Sequence, residues 1–288
     1  MLWLIVNPSA GDGRTGARLG RTSTELSRLE LEHVLHPTQS LDHARELAVA
    51  ALAEGAMPVA FGGDGLIGAV AGAVAHSDRP MGILPGGRGN DIARVLGIPR
   101  DPVTACAVLV AGSDRVLDLG QVGERAFLGI LSCGLDSTAN QVANTTRLVR
   151  GPLAYSYGGL RALAQWKPAQ FTVVVDGAER TVRGFSVAVA NSQAYGGGMR
   201  LAPDAVLDDG LLDVVVVADM PRLRFLIHMP EIFRGGHVRL PEVSVLRGRE
   251  VEVSADRALS VFADGEHVAE LPVRVTVDPG AVKVRVPA

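Results

Sequence analysis

Val59-Ala60-Phe61-Gly62-Gly63-Asp64-Gly65-Leu66-Ile67-Gly68 is the stretch on which the reading of the fold turns. An apolar run that predicts a buried strand meets a loop with glycine at 62, 63 and 65, and a helical pattern over residues 69–75 follows. Glycines there permit positive φ and let the backbone approach a bulky anion with its N–H groups turned outward. The helix N-terminus behind them adds partial positive charge. Asp64 cannot welcome a phosphate by itself, so it should hold a metal, a basic partner or a proton. This is the outline of a nucleotide phosphate site.

Outward from this stretch, the first half repeats the same alternation. Residues 2–6 form a continuous apolar strand that leads into Asn7-Pro8-Ser9-Ala10-Gly11-Asp12-Gly13-Arg14. A helix to about residue 28, a strand at 31–36 and a helix at 42–54 precede the glycine loop. A short strand at 81–84 and a second glycine loop, Pro85-Gly86-Gly87-Arg88-Gly89-Asn90-Asp91, follow it, then a helical start at Ile92 and a helix over 102–111. Strands alternating with helices in this way indicate a parallel, doubly wound α/β domain. In such a sheet the loops at 7–14, 62–68 and 85–91 all leave carboxyl ends of strands and converge at one edge, where ligands bind.

The pattern changes near Val116. Extended segments dominate from there: 127–131, 171–175, 181–190, 211–217, 251–254, 259–263 and 273–286, several alternating at a period of two. Asp-Gly pairs at 176–177 and 264–265 suit hairpin turns. This half is expected to be a β-rich, antiparallel sandwich or barrel. The boundary is a change of pattern and not a linker, so the two domains should pack closely.

Bulk properties narrow the classes. The 288 residues allow one large domain or two ordinary ones, and 47% hydrophobic with 20% charged residues is globular. A net charge of −3 gives no reason to expect nucleic acid as a partner. Cys106 and Cys133 lack ligand spacing and read as reduced core residues of a cytoplasmic protein. The apolar start is too short for a signal segment, and the longer uncharged runs fall short of the ~18 residues of a spanning helix. A soluble protein able to touch a membrane surface is expected.

Several motifs have two readings. Gly11-Asp12-Gly13-Arg14-Thr15-Gly16 matches G-x-G-x-x-G, but Asn7-Pro8 would disturb the tight turn and Asp12 would face a pyrophosphate. No lysine follows Gly16, which excludes a P-loop. Asp136, in Gly134-Leu135-Asp136-Ser137, is either a helix cap or a functional acid. Asp208-Asp209-Gly210 is either a turn or a seat for a hard cation, and Asp264-Gly265-Glu266 makes a good hairpin turn. Residues 220–249 carry Arg222, Arg224, Arg234, Arg239, Arg247 and Arg249 against Glu231 and Glu242, so 6 − 2 = +4. Phe225, Leu226, Ile227, Met229 and Phe233 are interleaved with them, which reads as a solvated helix or as a membrane-docking face. The histidines show no ligand arrangement; His33 and His36 turn to opposite faces of one strand.

Taken together, five segments resemble the diacylglycerol kinase catalytic-domain family, which includes bacterial lipid kinases and the sphingosine and ceramide kinases. Asn7-Pro8-Ser9-Ala10-Gly11 is similar to N-P-x-[SA]-G, Gly62-Gly63-Asp64-Gly65-Leu66 to G-G-D-G-T, and Pro85-Gly86-Gly87-Arg88-Gly89-Asn90-Asp91 to P-x-G-T-x-N-D. Gly134-Leu135-Asp136, and the signatures over 203–211 and 264–266, complete the set in the family's order. The resemblance implies a nucleotide-binding domain over 1–118, akin to NAD kinases and phosphofructokinases. It implies a β-rich lipid-substrate domain over 119–275 and a last strand, about 276–288, that returns to the first domain.

The same resemblance implies ATP and Mg²⁺ as cofactors and a lipid at the membrane surface as substrate, most readily diacylglycerol. Asn7, Ser9, Gly11, Thr38, Gly62, Gly63, Asp64, Gly65 and Arg88 would contact ATP. Asn90, Asp91, Asp136 and Asp264 would form, with Asp64, an acidic network beside the phosphates and substrate. Val206 and Leu211, through main-chain carbonyls, and Asp209 would hold a structural cation. Glu266, with Asp64 as the alternative, would be the catalytic base. A soluble kinase for a dinucleotide or sugar, and a binding relic without turnover, are the competing readings; a homodimer is left open. The chain departs from the family pattern at Arg88, where many members have Thr, at Gly68-Ala69, where many have Asn-Glu, and at Asp12, which Arg14 would offset.

Overall fold

Strand β1 (Leu2–Val6) is nearly free of polar residues because both faces of it are covered: Leu4, Ile5 and Val6 are fully buried. In the computed structural model, which describes residues 1–11, 13–135, 137 and 163–288, β1 is an inner strand of a four-stranded parallel sheet. The sheet order is β2 (His33–Pro37), β1, β3 (Met57–Gly62), β4 (Gly82–Pro85). Helices α1 (Arg14–Arg28), α2 (Leu41–Ala53), α3 (Asp64–Ala73), α4 (Asp91–Val95) and α5 (Pro102–Ala111) alternate with these strands or follow them. Ser40 caps α2 by accepting from the His43 N–H, and Asp101 caps α5 by accepting from that of Thr104.

One expectation is corrected here. Helix α3 starts at Asp64, not at residue 69, so the apparent loop residues 64–68 are its first turn. Leu66 and Ile67 are buried there, and it is their contact with the core, not loop chemistry, that sets the backbone. The strand expected over 127–131 is likewise two strands, β6 (Arg125–Phe127) and β7 (Ile130–Gly134), parted at Leu128-Gly129.

The second half is antiparallel, as its alternating pattern predicts. β8 (Ala169–Val175) buries every second residue, and its partner β9 (Ala178–Ala190) is reached through the Asp176-Gly177 turn. Asp176 has φ 47° and Gly177 φ 83°, and Asp264 and Gly265 have φ 50° and 86°. Two consecutive left-handed residues are what a twisted two-residue hairpin needs. The Asp264-Gly265 turn joins β13 (Ser260–Ala263) to β14 (Glu266–Glu270).

Along the large sheet the order is β14, β13, β7, β9, β8, β12 (Glu250–Ala255), β15 (Val273–Val286), β5 (Ser113–Val122) and β6. β10 (Leu212–Ala218) pairs with β9 and with β11 (Val243–Gly248), a strand that the sequence pattern had not distinguished from the basic segment around it.

β5 and β15 pair along nearly their whole length, and the domain limits expected at 118/119 and 275/276 fall inside them. Their outer ends belong to the core of the parallel sheet through Leu117, Leu119, Val282 and Val284. Val122, Val273 and Val275 belong instead to the core of the β-rich half. The end of β15 runs beside β4, with Met81 N–H donating to Lys283 O at 2.9 Å and Arg285 N–H to Met81 O at 2.9 Å. A shared pair of strands thus ties the halves together through apolar burial on both sides.

Among the described residues no helix is long and apolar enough to cross a membrane.

Candidate active site

The loops after β1, β2, β3 and β4 lie along one edge of the parallel sheet. Asn7 N–H donates to Phe61 O at 3.1 Å, Thr38 N–H to Val6 O at 2.7 Å, and the Gly86 and Gly87 N–H groups both donate to Gly62 O, at 2.7 and 3.0 Å. Two of the loops touch backbone to backbone: a Cβ built on Gly87 would stand 2.5 Å from the Gly63 Cα, and one on Gly11 2.5 Å from Gly86 O. Close approach is therefore what requires these glycines. The positive φ expected for the glycines at 62, 63 and 65 is not found: Gly63 is extended at φ −96°, ψ −178°, and Gly62 and Gly65 are not left-handed either, whereas Gly11 is (φ 63°).

Short polar groups hold the edge in shape. Asn7 Oδ1 accepts from the Ser9 N–H at 3.1 Å, and Arg14 Nε donates to Gly11 O at 2.7 Å. Asn90 takes the left-handed conformation (φ 52°) and staples its own loop, accepting from Gly87 N–H at 2.8 Å and donating to Gly87 O at 3.1 Å.

Asp64 and Asp91 face one another across Gly89. A Cβ there would meet Asp91 Oδ2 at 2.8 Å and Asp64 Oδ2 at 3.2 Å. Asp64 Oδ1 accepts from the Ile92 N–H at 3.0 Å. Loss of solvation pushes its carboxyl above the usual range and the Asp91 charge adds to this, while the Ile92 bond opposes it. Asp91 is only 3% exposed; its Oδ2 accepts from Gly197 N–H at 2.6 Å, and its Oδ1 has no hydrogen-bond partner among the described residues. That bond to Gly197 brings in the Gly196-Gly197-Gly198 run between β9 and β10 of the second half.

The hairpin between β13 and β14 supplies the remaining acids. Glu266 lies on the first turn of α3: a Cβ on Gly65 would be 3.0 Å from its Cγ and 3.2 Å from its Oε1. Asp264 is turned inward, where its carboxylate accepts from the N–H groups of Leu128 (3.1 Å), Gly129 (3.0 Å) and Ile130 (3.2 Å). Burial pushes its pKa up to about 7 and the Asp64 charge contributes, while the three N–H donors pull it down. Asp136 and Asp12 lie outside the described residues.

Beside the glycine loops, Arg14, Arg18, Arg88 and Arg100 line a cleft of about 300 Å³ together with Gly86, Gly87 and Asn90. Arg18 and Arg100 were not singled out from the sequence. Arg14 and Arg18 at i, i+4 share one face of α1, and that spacing is the signal that could have found them. Asp101 lines the same cleft, 3.8 Å from Arg18, so the four guanidinium groups leave it positive on balance and chemically suited to an anion.

Asp209, the charged member of the set implied for a structural cation, belongs to a separate group. Its Oδ1 accepts from the Leu211 N–H at 3.0 Å, and its Oδ2 accepts from the guanidinium of Arg247. Arg247 Nε also lies 3.3 Å from Asp213 Oδ1. Val206 is exposed, and Asp208 pairs with Arg115 at 2.9 Å.

Two conserved-domain profiles match the chain in tandem. Residues 1–122 match the diacylglycerol kinase catalytic domain, and residues 129–286 match the YegS C-terminal NAD kinase beta sandwich-like domain. A protein of Mycobacterium tuberculosis (strain ATCC 25618 / H37Rv) named diacylglycerol kinase is 33% identical over 97% of this chain and 93% of its own length. The chain belongs to the diacylglycerol kinase family. This is a family of lipid kinases, and the chain is an enzyme of that class.

Other relatives are a diacylglycerol kinase of Bacillus subtilis (strain 168), 30% identical over 93% of this chain and 90% of its own. A probable lipid kinase YegS-like protein of Chromohalobacter salexigens is 31% identical over 99% and 93%. The crystal structure of a diacylglycerol kinase from Bacillus anthracis str. Sterne superposes with a TM-score of 0.76 at 19% identity, covering 99% of this chain and 96% of that one. The family fold is thus the one described above, a parallel-sheet domain followed by an antiparallel β-rich domain.

Proposed function

We propose that this protein is an ATP- and Mg²⁺-dependent lipid kinase that transfers the γ-phosphoryl group of ATP to a hydroxyl of a membrane lipid, diacylglycerol foremost. The observation that carries the reading is the seat of Glu266 on Gly65. It puts a carboxylate of the β-rich half against the first turn of the helix that begins at Asp64. The names of the Mycobacterium tuberculosis and Bacillus subtilis relatives favour the same substrate.

The residues present fit the groups this reaction needs. Asp64 and Asp91 offer two close carboxylates, the second with Arg94 Nε 3.6 Å from its Oδ1, and Mg²⁺ is commonly held by one or two carboxylates together with substrate phosphates. When bound there, Mg²⁺ would neutralise phosphate charge, which the acidic loops alone would repel. Arg14, Arg18, Arg88 and Arg100 of the adjacent cleft supply positive charge, offset in part by Asp101. Glu266 would take the proton of the lipid hydroxyl as its oxygen bonds to the γ-phosphorus and the bond to the bridging β,γ-oxygen breaks, releasing ADP. In this reading residues 1–118 with the last strand bind nucleotide, and residues 119–275 present the lipid.

Peripheral association with the cytoplasmic membrane face is part of the proposal. Helix α6 (Arg222–His228) has no buried residue, and Leu223 and Ile227 are 70% and 63% exposed. Phe233, on the 3-10 turn Met229–Arg234, is 53% exposed. Arg222, Arg224, Arg234 and Arg239 surround them, the mixture that suits an anionic interface. The charge of this face is smaller than the sequence count implies, since Arg247 is paired elsewhere, with Asp209 and Asp213.

The test is to incubate the protein with labelled ATP, Mg²⁺ and mixed micelles of a total lipid extract and to identify the labelled product by mass. Phosphatidic acid is expected. Absence of any labelled lipid while ATP binds normally would overturn the proposal.

A further inference from the structure

The turn that leads into β10 is tied to three strands by side chains that do what a bound cation would do. Asp118, 2% exposed in the middle of β5, accepts from the Gly210 N–H at 2.7 Å through Oδ2 and from the Gly280 N–H of β15 at 2.7 Å through Oδ1. Its own N–H donates to Leu207 O at 2.7 Å. The third tie is Arg247. It stands on β11 directly opposite Asp213 of β10 in the antiparallel register, and its guanidinium spans Asp213 and Asp209.

Asp213 is 2% exposed, and its Oδ2 has no hydrogen-bond partner among the described residues. A carboxylate so placed needs a positive charge close by, and the sheet register delivers one from the neighbouring strand. Asp209 has both oxygens engaged, one by the Leu211 N–H and one by Arg247. A divalent ion on Asp209 would have to displace the guanidinium or lie against it, like charge beside like charge.

We propose that Arg247 replaces the structural divalent cation in this chain, so that the order of the β-rich half does not depend on metal. The planar fork of arginine suits the task, because one rigid group meets two carboxylates at once. Metal dependence of the reaction would then reside with the nucleotide phosphates and not with the fold. The inference stands apart from the substrate, and its test contains neither ATP nor lipid.

The experiment follows thermal unfolding of the full chain in excess EDTA and in millimolar Mg²⁺ or Ca²⁺, with the metal content of the dialysed protein measured by elemental analysis. The wild-type midpoint is expected to agree within about 1 °C across these conditions, since without ATP the Asp64–Asp91 pair lacks the phosphates that complete a Mg²⁺ shell, and a ligand that does not bind the native state cannot shift it. The dialysed protein should carry no stoichiometric metal. Arg247→Met should lower the midpoint by about 3–6 °C, and millimolar Mg²⁺ or Ca²⁺ should restore part of the loss by filling the vacated place between Asp209 and Asp213. Arg247→Lys should lose less, as it keeps the charge and gives up the fork. A wild-type midpoint that falls by several degrees in EDTA, a stoichiometric metal that survives dialysis, or an Arg247→Met chain as stable as wild type would each overturn the inference. The wild-type measurements decide even if Arg247→Met does not fold.

Discussion

The Asp264 carboxylate occupies the space that a side chain at position 68 would need: a Cβ built on Gly68 would lie 2.5 Å from Asp264 Oδ2. That oxygen is not free to swing away, because it accepts from the Leu128 N–H at 3.1 Å while Oδ1 holds Gly129 and Ile130. The departure from the family pattern at Gly68 therefore has a local reason in this chain: the helix gives up a side chain where the hairpin inserts an acid.

Gly68→Ala should cost about 1–3 kcal/mol of stability, the range for overpacking a tight contact, even though alanine is the better helix former. Combining it with Asp264→Ser, which withdraws the obstructing oxygen, should cost less than the two single changes added together. Chemical denaturation of the four proteins measures the coupling. Strict additivity would show that the contact does not limit position 68.

Glu266→Gln preserves shape and removes the proton acceptor. Turnover should fall roughly 10²–10⁴-fold with little change in the KM for ATP. Wild-type turnover in this variant would transfer the role of base to Asp64, the other carboxylate at the first turn of α3.

The raised pKa of Asp264 carries a sign. Its folded-state value of about 7 lies above the ordinary carboxylate value, so between about pH 4 and 7 the folded chain holds a proton that the unfolded chain releases. Stability from this group is then fully present below about pH 4 and is lost as pH rises towards 7. Unfolding free energies at pH 5 and pH 8 should differ more in wild type than in Asp264→Asn, by roughly 1–4 kcal/mol. An identical pH slope in the two proteins would mean that Asp264 titrates normally.

Leu223→Ser with Ile227→Ser removes the two most exposed apolar side chains of α6, neither of which lies in the acidic site. Binding to vesicles containing phosphatidylglycerol should weaken about tenfold or more, given the apolar area lost. Activity on a short-chain, soluble lipid should be unchanged. Vesicle binding that ignores both the substitutions and the anionic lipid content would place the membrane contact elsewhere.

The sequence by itself determined the alternation of apolar strands and helices before Val116, the period-two pattern after it, and the two Asp-Gly hairpins. Each of these is local: burial on two faces, burial on one, or two left-handed residues in succession. It also marked the glycine loops and most of the acids gathered around them. It did not show that α3 begins at Asp64, because a Gly-rich first turn reads as loop until Leu66 and Ile67 find the core.

Nor did it foretell the partners of the acids. Glu266 meets Gly65, Asp264 meets Gly68, and Asp209 meets Arg247 only when β13, β14 and β11 are in register with their neighbours. Asp118 was not singled out from the sequence, and what it binds, Gly210 and Gly280, is set by the pairing of β5 with β15. Residue pattern encodes which face is buried and where the chain turns; which charge meets which is decided by the packing of strands far apart in the chain, and that is a property of the tertiary structure alone.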